Sequence, residues 1–188
     1  MKRESRRTKQ KHYAVPGVRP EDWADPLTGQ PHALANLHRI TPTLYRSAQP
    51  RRNDLPALHA LGIRTVVSFR SFNSDERALA GSGIGQVRVP IDTWAIDDEK
   101  VLLALREIRA AEQRGPVLVH CWHGADRTGV VAAAYRMVLQ GWDKDAARHE
   151  MFRGGYGYHT LWRNIPRYLD RLDVAALRQA LLEPATTP

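Results

Sequence analysis

A run of ten residues, His120-Cys121-Trp122-His123-Gly124-Ala125-Asp126-Arg127-Thr128-Gly129, holds the only cysteine of the chain and, six positions later, an arginine. Cysteine does chemistry as a thiolate, and a guanidinium offers two parallel N–H donors that match two oxygens of a phosphoryl group. Together they suit nucleophilic attack on phosphorus. Gly124 adds a residue that can turn with positive φ and come close to a ligand without a Cβ clash.

The flanking segments must position that run. Pro116-Val117-Leu118-Val119-His120 is short, apolar and partly β-branched, and reads as a buried strand. The stretch 128–140, TGVVAAAYRMVLQ, is apolar nearly all round and stops at Gly141, which reads as a buried helix closed by a glycine. A loop between them ends at a helix N-terminus, where unpaired N–H groups and the positive end of the helix dipole favour an anion. Trp122, His123, Gly124, Ala125, Asp126 and Arg127 are therefore expected to bind phosphate, with the same field favouring the thiolate of Cys121. A lone cysteine is more often inert core. The joint spacing of Cys121, Gly124, Arg127 and Thr128 between strand and helix outweighs that reading.

Departure of a phosphoester oxygen calls for a proton donor. VPIDTWAIDDE supplies Asp92, Asp97 and Asp98, and the loop itself supplies Asp126. Asp97 and Asp98 precede a periodic helix bearing Val101, Leu105 and Ile108, so capping and first-turn roles explain them. Asp92 follows a strand expected over 86–91 and opens a loop. The order of preference for the acid is Asp92, Asp126, Asp97; the competing account of Asp126 is a carboxylate that holds Arg127 or nearby backbone.

HCWHGADRTG resembles the His-Cys-x-x-x-x-x-Arg-Ser/Thr signature of cysteine-dependent protein tyrosine and dual-specificity phosphatases. LYRSAQP at 44–50, GIRTVVSFR at 62–70 and QGWDKDAARHEMFRGGYGYH at 140–159 are similar to a compact bacterial dual-specificity branch, so the resemblance covers about residues 36–175. It implies that Cys121 forms a phosphocysteine, Arg127 clamps the transferred group, Thr128 eases thiolate departure and His120 supports the nucleophile by hydrogen bonding. It also places the acid on the loop opened by Asp92, although a gapless match sets one relative's acid opposite Trp94. Phosphoinositide phosphatases of the myotubularin type carry an aspartate at the offset of Asp126. The implied activity is hydrolysis of phosphotyrosine and phosphoserine or phosphothreonine on proteins. The alternatives are a phosphoinositide or inositol (pyro)phosphate phosphatase, and a phosphate-binding module without turnover.

The remaining composition narrows the partners. At 188 residues and 43% hydrophobic content the chain can bury one core. A single cysteine excludes a cysteine-built zinc site, and His32, His38, His59, His149 and His159 show no metal-ligand spacing. Neither GxxxxGK[ST] nor GxGxxG occurs, so no metal and no cofactor are expected. Residues 1–12 hold six Lys or Arg against one Glu, so five of the eight net positive charges lie there. Such a run is most often simply solvated. No nucleic-acid partner is expected, and a membrane contact through the basic run has no amphipathic pattern behind it. Lacking a signal-peptide core, the chain as given reads as cytoplasmic, or periplasmic had an upstream leader been trimmed.

The expected organisation is a basic, proline-containing arm over 1–35, a single domain over 36–182 and a tail over 183–188. The expected fold is α/β, a mostly parallel central sheet of about four or five strands flanked by helices. A strand or hairpin is placed at 37–47, strands at 64–69, 86–91 and 116–120, and helices at 53–61, 98–113, 127–140, 143–152, 160–172 and 173–182. Arg46, Ser47 and Arg70 close strand-like segments and are expected near the site, with an ion pair an equal account of Arg70.

Overall fold

In the computed structural model, residues 19–28, 34–72 and 74–183 are described. β1 (Asp25–Pro26), β2 (His38–Arg39), β3 (Leu44–Ser47), β4 (Thr65–Ser68), β5 (Gly85–Arg88) and β6 (Val117–His120) form one sheet in the order β1-β2-β3-β6-β4-β5. β3, β6, β4 and β5 run parallel, while β1 and β2 add an antiparallel edge. β2 and β3 make the hairpin expected at 37–47, and the count exceeds the four or five expected because β1 is a two-residue strand, too short for a periodicity reading.

Alternation along the strands divides the core in two. Leu44, Val67, Val117 and Val119 face one side, with α3 (Asp98–Glu112), α4 (Asp126–Val138), α5 (Lys144–Arg153), α6 (Asn164–Arg171) and α7 (Val174–Leu182) contributing to that cluster. Tyr45, Val66 and Leu118 face the other, packed with Leu58 of α1 (Leu55–Ala60) and Leu79 of α2 (Glu76–Leu79). α3 buries Val101, Ala104, Leu105, Ile108 and Ala111, an i, i+3, i+4 stripe, behind an Asp97 cap whose carboxylate accepts from the Lys100 N–H at 2.8 Å.

α4 is buried on nearly every face, in keeping with the apolar run from Val130 to Ala134, and its polar residues Asp126, Thr128 and Arg136 are buried with it. Gly129 lets α5 pack closely, since a Cβ there would lie 2.8 Å from the Met151 methyl and that side chain would have to shift. The helix ends at Val138, and Gly141 with φ 73° lets the Trp142 N–H return to the Arg136 carbonyl at 3.0 Å. α6 begins at Asn164 rather than near 160, because the preceding residues are held in turns that bring His159 to Asp126.

The basic run at 1–12 lies outside the described residues. Residues 19–28, inside the expected arm, pack on the body: the Ala24 N–H donates to Glu150 Oε1 at 2.7 Å, and Arg19 donates to the Gly154 carbonyl at 2.6 Å. The expected tail at 183–188 is described only at Glu183. Among the described residues no helix is long and apolar enough to cross a membrane.

β6 lies between β3 and β4, with His120 in register with Ser47 on one side and Ser68 on the other. The chain leaving its carboxyl end therefore emerges between two strand ends, where open α/β sheets bind ligands.

Candidate active site

Residues 121–125 link β6 to α4, and the orientation of their peptides follows from their carbonyl partners. The Cys121 carbonyl lies 3.0 Å from His120 Nδ1, and the Trp122 carbonyl accepts from the Gln49 N–H at 3.1 Å. The His123 carbonyl accepts from Asn36 Nδ2 at 2.9 Å, and the Gly124 carbonyl from Arg46 Nη2 at 2.7 Å. With no cis peptide bonds, each following N–H points away from its carbonyl. Four carbonyls turned onto the protein thus turn the N–H groups of Trp122, His123, Gly124 and Ala125 to the opposite side. Those of Asp126 and Arg127 join them in the first turn of α4, where no helical acceptor precedes them. None of these six N–H groups has a backbone acceptor among the described residues, which is the donor set an anion cradle needs.

Gly124 makes the close approach possible. Its φ is 72°, and a Cβ would lie 2.3 Å from the Ser47 carbonyl oxygen. Cys121 lies at the base of the loop, 2% exposed. Arg127 Nη1 is 3.3 Å and 3.5 Å from the Phe69 and Ile91 carbonyls, which aims its fork between the ends of β4 and β5. Arg127 Nε and Thr128 Oγ1 are buried with no hydrogen-bond partner among the described residues. Buried donors left free at an anion cradle are groups set to meet a ligand.

Support comes from beneath. Arg46 is buried with its guanidinium 3.7 Å from the centre of the Tyr156 ring, and burial pulls its pKa down. Tyr156 OH bonds Glu150 Oε1 at 3.0 Å, and burial followed by the Glu150 charge pushes the phenol up to about 12. Glu150 takes a two-pronged contact from Arg136, 2.8 Å at each oxygen. His120 is fully buried, its Nε2 2.7 Å from Asp75 Oδ2, and Asp75 Oδ1 accepts from Gln49 Nε2 at 2.9 Å. Burial would raise the Asp75 pKa, yet contact with His120 and the hydrogen bonds of Gln49 and Ser68 hold it below the usual range.

The candidate acids separate by what they touch. Asp92 is half-buried on the loop after β5, next to the Ile91 carbonyl that Arg127 approaches, and accepts from Ser71 Oγ at 2.6 Å. Both oxygens of Asp126 are engaged by one residue: Oδ1 accepts from the His159 N–H at 2.9 Å and Oδ2 lies 2.8 Å from His159 Nδ1. Asp97 caps α3 and Asp98 accepts from Tyr168 OH at 2.9 Å. Ser47 packs under the loop. Arg70 forms no ion pair among the described residues; it bonds Gln49 Oε1 and stacks 4.2 Å over Trp122.

Asp75, Asn36, Gln49, Tyr156 and His159 escape a reading of the sequence. Asn36 and Asp75 reach the loop from segments without a motif, while Gln49, Tyr156 and His159 lie in LYRSAQP and QGWDKDAARHEMFRGGYGYH, stretches that carry the resemblance but mark no single residue for the site. Asn36 alone carries a signal, a non-glycine residue with φ 58°, and that is visible only in the folded backbone.

A cysteine at the base of a loop that ends at a helix N-terminus, with Arg127 Nε and the Thr128 hydroxyl unpartnered among the described residues beside it on an α/β sheet, defines a cysteine-based phosphatase of the protein tyrosine and dual-specificity type. Residues 35–168 match the family described as PTP-SAK, Swiss Army Knife protein, DSP-PTPase phosphatase domain, and the chain belongs to it. It is 46% identical over 154 residues to the dual specificity protein phosphatase TpbA of Pseudomonas aeruginosa, covering 81% of this chain and 70% of that one. The crystal structure of TpbA from that organism superposes with a TM-score of 0.80 at 42% identity, covering 88% of this chain and all of the other. A Cys-to-Ser form of TpbA in complex with pTyr gives 0.80 at 41% identity, over 89% of this chain and 100% of that one.

Proposed function

We propose that the chain hydrolyses phosphotyrosine and phosphoserine or phosphothreonine on proteins through a phosphocysteine on Cys121. The carrying observation is that the carbonyls of Cys121, Trp122, His123 and Gly124 all bond to protein partners, which leaves the N–H groups of residues 122–125 turned to the other side of the loop. In the first step the Cys121 thiolate attacks phosphorus in line, and the cradle with Arg127 holds the equatorial oxygens. The P–O bond to the leaving group breaks, and that oxygen takes a proton from Asp92. In the second step water attacks the phosphocysteine, the Asp92 carboxylate takes a proton from that water, the P–S bond breaks and the Thr128 hydroxyl donates a hydrogen bond to the departing thiolate. His120 holds the Cys121 carbonyl throughout. This scheme uses no metal and no cofactor.

Asp92 is preferred to Asp126 because a carboxylate already accepting two hydrogen bonds is a poor proton donor. Protein-borne aryl phosphate is preferred to an inositol (pyro)phosphate because Phe72, Trp94 and Trp122 are 82%, 62% and 51% exposed. All three stand on loops that leave the carboxyl ends of β4, β5 and β6, an apolar rim suited to an aromatic ring or a peptide.

The test is hydrolysis of an aryl phosphate in the presence of EDTA, wild type beside Cys121→Ser. Wild-type turnover that the variant loses while still binding phosphate supports the scheme. Turnover by Cys121→Ser would overturn it, and phosphate binding without turnover in the wild type would point to a binding module.

A further inference from the structure

On the outer rim of the loop, three side chains able to ligate a metal stand together. His123 and Asp126 come from the loop and the first turn of α4, and His159 from the glycine-rich segment after α5. One ligand atom from each lies within 4.8 Å of the other two, and the imidazole rings are 4.9 Å apart between centres.

The backbones that carry them are tied together. Asn36 Nδ2 donates to the His123 carbonyl and to the Tyr156 carbonyl, 2.9 Å in each case, so one amide clamps both histidine-bearing segments. Asn36 holds a left-handed φ of 58° to do so. A second tie is the His159 N–H on Asp126 Oδ1. With the main chain fixed at both sides, only side-chain rotation separates the three groups from a common ligand, and the sequence separation of 33 between Asp126 and His159 hid the cluster from any spacing rule.

We propose that His123, Asp126 and His159 form a binding site for a borderline divalent transition-metal ion, with Zn2+ as its probe. Two imidazole nitrogens and one carboxylate oxygen are a donor set that zinc accepts, and three protein ligands leave the fourth tetrahedral position open. The proton now between His159 Nδ1 and Asp126 Oδ2 leaves to solvent as the ion takes its place. The Asp126 carboxylate offsets the nearby Arg127 charge. Because this site and Cys121 share one loop, a bound ion places positive charge and an open ligand position beside the phosphate cradle. It therefore retains phosphate and inhibits turnover. Inhibition rests on the phosphatase reading above; binding does not.

The experiment is calorimetric titration of the full chain with Zn2+ in a non-coordinating buffer above the imidazole pKa of about 6.5, with Co2+ absorption in parallel. Wild type and Cys121→Ser are expected to bind one ion with equal affinity. His123→Gln and His159→Gln should each weaken binding about 10-fold or more, while His149→Gln on α5, whose ring packs edge-on against Trp23, should not. Thermal melts of both loop variants check that the fold persists, and either one alone suffices to read the site. No saturable binding in the wild type overturns the proposal, as does unchanged affinity in both loop variants. Binding lost in Cys121→Ser overturns it too, since the thiolate would then be the ligand. Zn2+ inhibition of aryl phosphate hydrolysis that His159→Gln relieves supports the stated consequence; inhibition that persists in that variant overturns it.

Discussion

Arg46 donates from beneath the phosphate loop to the Gly124 carbonyl at 2.7 Å, while its guanidinium carbon sits over the Tyr156 ring, 3.7 Å from its centre. One buried cation thus fixes the peptide whose N–H, on the next residue, faces the anion. Arg46→Met removes the donor and leaves a buried carbonyl unpaired, at a cost of about 1–3 kcal/mol. Arg46→Lys keeps the charge but loses the planar group over the Tyr156 ring and the fork. Both variants are expected to lower kcat/KM by about 10-fold to 100-fold through misplacement of the loop, with Lys no better than Met. Steady-state kinetics beside thermal melts check this; a Lys variant at wild-type rate would show that charge, and not geometry, is what Arg46 supplies.

Gly124 admits no side chain. Two penalties coincide, a φ of 72° and a Cβ 2.3 Å from backbone that cannot swing away. Gly124→Ala must push the loop off Ser47, and a displacement of about 1 Å at the cradle is expected to cost about 100-fold in turnover. Phosphate affinity, measured in a Cys121→Ser background, should fall with it, because the same N–H groups bind ground state and transition state.

The parts of this site that were legible are those contiguous in the chain. Strand β6, the loop and α4 run consecutively from Val117 to Val138, so apolar runs and a glycine reveal their order and the spacing of Cys121 from Arg127. The alternation that splits the core is likewise written in Leu44-Tyr45, Val66-Val67 and Val117-Leu118-Val119. What lay hidden depends on pairing across the fold. Asp75 meets His120 over 45 residues and His159 meets Asp126 over 33, through turns with no periodicity to mark them. Two-residue strands such as β1 form only because a neighbouring strand offers its edge. The start of α6 was misplaced because 154–163 is spent on turns and on reaching Asp126, a use that helical propensity does not record.

Both ring nitrogens of His120 face acceptors, the Cys121 carbonyl and Asp75 Oδ2. Asp75 stays ionised, so its carboxylate accepts a hydrogen bond from Nε2–H and locks the ring that holds the nucleophile's own peptide. Asp75→Asn can instead donate to Nε2, which removes a proton from the pair. Alkylation of Cys121 at neutral pH is expected to slow several-fold in this variant, with kcat/KM falling about 10-fold. Equal alkylation rates in variant and wild type would show that Asp75 only fills space.

The pH–rate profile separates the two carboxylates nearest the loop. If Asp92 gives the proton, Asp92→Asn loses the basic limb of the kcat/KM profile and about 100-fold to 10,000-fold in rate on esters with poor leaving groups. Asp126→Asn surrenders part of its hold on His159 but leaves Asp92 in place, so its rate falls while the basic limb persists. The reverse pattern would transfer the acid role to Asp126.

Glu150 supports the site from a distance and should reveal itself in acid. Burial would raise its pKa, but the fork of Arg136, the Ala24 N–H and Tyr156 OH together hold it below the ordinary value. A carboxylate depressed in the folded state stabilises the fold above its unfolded pKa, about 4.3, and that stabilisation is lost as pH falls through the lower folded value. Glu150→Gln leaves Arg136 buried without a counter-charge, for a loss of about 3–5 kcal/mol at neutral pH. The gap between wild type and variant should therefore be widest near pH 7 and close at acid pH below the unfolded glutamate range. Urea melts across that range test it, and a gap that stays constant with pH would show that shape, rather than charge, is what Glu150 contributes.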